Sequence, residues 1–81
     1  MTVADCVKIM IEKSGISQRK LAETLGYSGQ GAISKPLSRN DGMGMAVATL
    51  LKWAEAMDYQ IVLQPMDGGD EDDLILDGEP E

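Results

Sequence analysis

Residues 17–37 read SQRKLAETLGYSGQGAISKPL. Ser17 is a residue type that caps helix N-termini. Leu21, Ala22 and Leu25, with Ile16 before them, recur at helical spacing, and Gly26 is a residue type that ends helices. The pattern predicts a short helix of about nine residues. A further helix opens at Ser28 or Gly29. Ile33 and Leu37 lie four apart on its inward face, and Gln30, Gly31, Ser34 and Lys35 fall outside that face. Two good helical segments are thus joined by a polar stretch containing Gly29 and Gly31, although each glycine in a helix interior costs about 1 kcal/mol relative to alanine. Pro36 lacks a backbone donor and is tolerated only because the helix ends close by.

Before this stretch, Thr2 caps a first helix with Asp5 as its capping-box partner. Val3, Cys6, Val7, Met10 and Ile11 give that helix an apolar stripe to about Lys13, with Cys6 expected as a small core residue. Ser14-Gly15 ends it. After it, RNDGMG at 39–44 reads as a loop. Met45 to Met57 reads as a fourth helix with Val47, Leu50, Leu51, Ala54 and Met57 inward. Trp53 falls beside that stripe, as rim packing or, in the favoured reading, an interface anchor, and Met43 and Met45 read as loop cover and core rather than as metal ligands. YQIVLQ at 59–64 alternates as a strand that Pro65 stops. Residues 67–81 are expected to be a disordered acidic tail, interrupted by the apolar triplet Leu74-Ile75-Leu76. There is no internal repeat.

The chain has 81 residues, the size of one small domain, and a core that small benefits from a supplement such as dimerisation. It has no histidine and one cysteine, Cys6, so an intrachain disulfide and a zinc constellation are both excluded. No apolar run approaches the roughly 20 residues that span a bilayer, and the N-terminus lacks a secretory pattern. A soluble cytoplasmic protein is the expectation. The net charge of −7 is unevenly spread. Residues 67–81 hold eight acids and no base, leaving residues 1–66 with six acids and seven bases, a net +1. Within residues 13–40, Lys13, Arg19, Lys20, Lys35 and Arg39 face Glu23 alone. Such opposed blocks point to an interaction surface and a solvated or regulatory tail. An enzyme is not expected, since the chain carries no nucleophile–base pair, no phosphate-cradling glycine loop and only scattered carboxylates in its body. No cofactor is implied.

Four short helices with a tight second-to-third connection suggest a helix-turn-helix, whose second motif helix enters the major groove and meets base edges with its N-terminal residues. A glutamine there can bond adenine through an amide that both donates and accepts. SGISQRKLAETLGYSGQGAISKPL, followed by MAVATLLKWAEAMDYQIVL, resembles the lambda-repressor-like helix-turn-helix family, also called the Cro or XRE family. The resemblance covers about residues 3–64, with SQRKLAETLG and AIS its most specific pieces. It implies a mainly α, compact bundle of four or five helices, usually a homodimer, that binds operator DNA. By the same resemblance Gln18 contacts phosphate, and Ser28, Gly29, Gln30 and Gly31 face the bases. Ser34 and Lys35 match groove-side positions and Arg39 a backbone-side one. Arg19 or Lys20 is expected on phosphate.

The strand at 59–64 has no evident partner in the chain, and unpaired backbone groups are costly when buried. Pairing with its twin across a two-fold axis is the expected remedy, with Tyr59, Ile61, Leu63 and Trp53 at the dimer interface. Two functions follow as expectations. One is sequence-specific DNA binding and transcriptional regulation, as a phage-type or toxin–antitoxin repressor. The other is a protein-binding module, an antitoxin or phage-encoded inhibitor, acting through residues 67–81.

Overall fold

A computed structural model describes residues 1–67 and 73–80. Four α-helices come first: α1 (Val3–Ser14), α2 (Gln18–Thr24), α3 (Gly31–Ser38) and α4 (Val47–Ala56), with a 3-10 turn at Arg39–Gly42 between the last two. Two short strands follow, β1 (Ile61–Leu63) and β2 (Leu74–Leu76). The protein is therefore a small, mainly helical body with a two-stranded antiparallel sheet appended.

The helix ends sit where local chemistry puts them. Thr2 accepts from the Asp5 backbone N–H at 3.2 Å while the Thr2 N–H donates to Asp5 Oδ2 at 2.8 Å, a complete capping box. The Asp5 carboxyl is held below its ordinary pKa of 3.8, first by the backbone N–H of Thr2 and then by the Thr2 side chain. Ser17 caps α2 by accepting from the Lys20 N–H at 3.0 Å. α2 closes with Gly26 at φ 79, where the Tyr27 N–H donates to Ala22 O at 2.8 Å and the Gly26 N–H to Glu23 O at 3.1 Å. α4 closes by the same pair of bonds around Asp58, a non-glycine residue at φ 66.

The core joins all four helices through Ala4, Val7 and Met10 of α1, Leu21 and Ala22 of α2, Ile33 and Leu37 of α3, and Trp53, Ala54 and Met57 from α4 and its C-cap. Several expectations change here. Cys6 is exposed, because the buried line of α1 runs through Ala4, Val7 and Met10 and leaves Cys6 to one side. Val47 is 57 % exposed, since α4 turns Trp53 and Ala54 inward instead. Trp53 is fully buried, so it is a core residue of the monomer and not a dimer-interface anchor. Its indole N–H donates to Tyr27 Oη at 3.2 Å, which satisfies the one polar group that burial would otherwise strand.

The strand prediction also changes. β1 is shorter than residues 59–64 and is not alone. It pairs with β2, in the register Ile61 with Leu76, Val62 with Ile75 and Leu63 with Leu74. The apolar triplet expected inside a disordered tail is thus a strand of the fold, and β1 needs no second subunit to pair with. The rest of that expectation, at residues 68–72 and 81, lies outside the described residues. Beyond β2 the chain passes over α4, where a Cβ on Gly78 would stand 3.3 Å from Leu51 Cδ2. None of the described helices is long and apolar enough to cross a membrane.

Candidate nucleic-acid interface

The α2–α3 connection holds two short helices at a fixed distance. Tyr27 lies directly after the Gly26 turn and is tied to Trp53, so the connection is anchored to the core from its middle. Leu21 and Ala22 on one side and Ile33 and Leu37 on the other bury the inner faces of both helices. What remains outside is polar, small or cationic. Ser28, Gly29 and Gln30 form the exposed approach to α3, whose first turn is tightened by bonds from the Ala32 N–H to Gly29 O and from the Ile33 N–H to Gln30 O. α3 therefore begins at Gly31, later than the sequence reading placed it, and three of the four residues expected at its N-terminus lie in the turn before it.

Gln30 and Gln18 meet across that turn. Gln30 Nε2 donates to Gln18 Oε1 at 3.4 Å, joining the first residue of α2 to the residue that precedes α3. A long, exposed bond of this kind adds little stability. It does orient two amides that each retain donors and acceptors for another molecule.

Three shallow depressions that share lining residues together make an open trough beside Gln30. The first lies between Arg19 and Gln30 and includes Ser28 and Gly29. The second shares Ser28 and Gly29 and continues past Gly31 to Lys35 and Pro36. The third shares Lys35 and Pro36 and ends at Arg39 and Thr49. Arg19, Gln30, Lys35 and Arg39 thus stand along one surface. Lys20 and Ser34 are exposed but line none of the three depressions. Gln18 lines none of them and meets Gln30 beside the first.

Among the described residues, nothing requires glycine at 29 or 31. An added Cβ at Gly29 would meet nothing within 4 Å, and at Gly31 only the far end of Lys35 at 3.9 Å. Their effect is outward: the backbone lies open along the floor of the trough. Pro36 has no N–H to donate to the Ala32 carbonyl, and α3 ends two residues later.

One feature of the surface was not anticipated from the sequence. Glu23 sits 3.8 Å from Arg19 Nε and 4.0 Å from Lys20 Nζ, so one carboxylate faces both cations of α2. The i,i+3 and i,i+4 spacing of these residues is the signal that marks it. Among the described residues, Lys35 and Arg39 form no ion pair. Also among the described residues, no group of three or more His, Cys, Asp or Glu side chains could hold a metal ion. Compared with family models, curated proteins and solved structures, the chain gives no significant match.

Proposed function

We propose that this chain binds double-stranded DNA through α2, α3 and the turn between them, and acts as a sequence-specific transcriptional regulator. In this reading α2, the Gly26 turn and α3 are a helix-turn-helix, with α3 laid in the major groove. The observation that carries it is the Gln18–Gln30 contact at the mouth of a trough that runs from Arg19 to Arg39. In this reading Gln18 bonds a phosphate and the Gln30 amide pairs with the edge of an adenine. Gly29 and Gly31 admit the duplex close to the backbone, and Lys35 and Arg39 take phosphates on the far side of α3. The near-neutral body keeps nonspecific affinity modest, since that affinity scales with neutralised phosphates. Control of an operator as a repressor is the role that fits such a module.

The test is a selected-site titration. An operator sequence is enriched from random duplexes on the full chain, and affinities are measured at two salt concentrations. Gln30→Ala should weaken the selected site by about 1–3 kcal/mol and relax the preference at one base pair. Lys35→Ala should weaken all sequences alike and reduce the salt slope by about one. If no sequence is enriched, the DNA reading fails. If enrichment is intact in Gln30→Ala, another residue reads the bases.

A further inference from the structure

The hairpin holds its apolar side chains outside the body. Leu63, Leu74 and Ile75 are 56 %, 64 % and 59 % exposed, and Val62 is 38 % exposed. The antiparallel register puts Leu63 with Leu74 on one face and Val62 with Ile75 on the other, so both faces of this small sheet present apolar surface. Among the described residues, β1 and β2 pair only with each other, which leaves an outer edge on each. An open edge is a template for another strand, and exposed apolar patches mark places where something docks. A lone two-stranded ribbon is marginal, so a third strand would also stabilise it.

The charge around the hairpin says what kind of strand. Lys52 is the last base in the chain, and residues 53–81 carry ten acids and no Lys or Arg. Asp73 and Asp77 flank β2 directly, with Glu79 just beyond. Asp73 Oδ1 is buried and has no hydrogen-bond partner among the described residues. A second copy of this chain would set like charges against like. A segment carrying Lys or Arg would meet carboxylates on both sides of β2.

We propose that the hairpin is a docking edge for an extended, basic segment of a partner protein, one that alternates apolar residues with Lys or Arg. Its backbone adds a strand to the open edge. Its apolar side chains cover one face of the sheet, and its cations meet Asp73, Asp77 and Glu79. This is strand addition, with main-chain bonds supplying affinity and alternate side chains supplying selection. The inference goes beyond the DNA reading and does not depend on it.

Short random peptides displayed on phage would be selected against the full chain and counter-selected against Ile75→Lys. Ile75 is more than half exposed, so the substitution leaves the helical core intact. Enriched peptides should alternate apolar and basic residues. A synthetic copy should bind the full chain and bind Ile75→Lys about tenfold more weakly or worse, a difference of about 1.4 kcal/mol. Asp77→Asn, which keeps the shape and removes one charge, should weaken the same peptide and flatten its salt dependence. Enriched peptides that are acidic or neutral would overturn the proposal, as would enrichment that Ile75→Lys leaves unchanged or no enrichment at all. So would a free chain that sediments as a dimer and is split by Ile75→Lys, because the occupant would then be a second copy.

Discussion

The helical body and the hairpin use the same apolar residue types to opposite ends. In the body, Val7, Leu21, Ile33 and Trp53 are fully buried, one on each of the four helices. In the hairpin, Leu63, Leu74 and Ile75 are each more than half exposed. The charges divide in the same way, with a net +1 over residues 1–66 and eight acids without a base over residues 67–81. A helix can hide its apolar stripe against three neighbours at once, whereas a ribbon of two three-residue strands has two faces and only one body to lean on. The body is therefore where stability resides, and the hairpin is where apolar surface is offered outward.

The largest expected effect breaks this contrast if it fails. Trp53→Ala should destabilise the protein by about 3–5 kcal/mol, through the cavity it leaves and the loss of a partner for Tyr27. Ile75→Ala should change stability by less than about 0.5 kcal/mol. Chemical denaturation of both variants measures the pair, and equal losses would mean that the hairpin belongs to the core. Gly42→Ala comes next. Gly42 is buried at φ 78, and an added Cβ would stand 3.1 Å from Val3 Cγ1 and 3.2 Å from the Ala4 backbone nitrogen. A loss of about 1–2 kcal/mol is expected from the left-handed backbone alone, with the crowding against α1 adding to it. A melting temperature equal to that of the parent chain would show that the turn relaxes freely.

A smaller effect sharpens the electrostatic side of the comparison. Glu23→Gln should raise affinity for DNA a few-fold at low salt, with a gain that shrinks as salt rises, because Arg19 and Lys20 no longer share a carboxylate. Unchanged affinity would show that neither cation of α2 reaches the duplex. Deleting residues 67–81 is a poor substitute for such charge changes, since it removes β2 together with the acids. The smallest effect is on acid stability. The Asp5 carboxyl is held below its ordinary 3.8, so its capping contribution is present above that pH and disappears as pH falls through the lowered value. The melting temperature of Asp5→Asn should lie slightly below that of the parent near neutrality and converge with it only as pH falls below 3.8 through the lowered value. A gap that persists in strong acid would mean that the carboxylate charge plays no part.

The helices were legible because their ends are written in local chemistry. Thr2 with Asp5, Ser17, Gly15 and Gly26 each act within a few residues of where they stand. The β1–β2 pairing was not legible, because it joins residues separated by an acidic stretch whose composition argues against structure, and no local pattern records it. Trp53 was misplaced for a related reason. A large aromatic with one donor suits an interface as well as a core, and only its complete burial and its bond to Tyr27, far off in sequence, decide between them. At the candidate site, the polar residues flanking Gly26 and Gly31 were named from pattern. Their arrangement into one trough, the pairing of Gln18 with Gln30, and the claim of Glu23 on two cations depend on how α2 and α3 are set against each other.

The Trp53–Tyr27 bond also equips the molecule with its own optical reporter. The chain has one tryptophan beside two tyrosines, so emission excited at wavelengths too long for tyrosine to absorb comes from a single site. That site is the floor beneath the α2–α3 connection, and the oxygen facing the indole N–H belongs to the residue that follows the Gly26 turn. Any ligand that shifts the turn changes the hydrogen bond, and with it the colour and yield of the light. Binding at the trough can thus be followed on the unlabelled chain, while a strand added to the hairpin should leave the emission as it was.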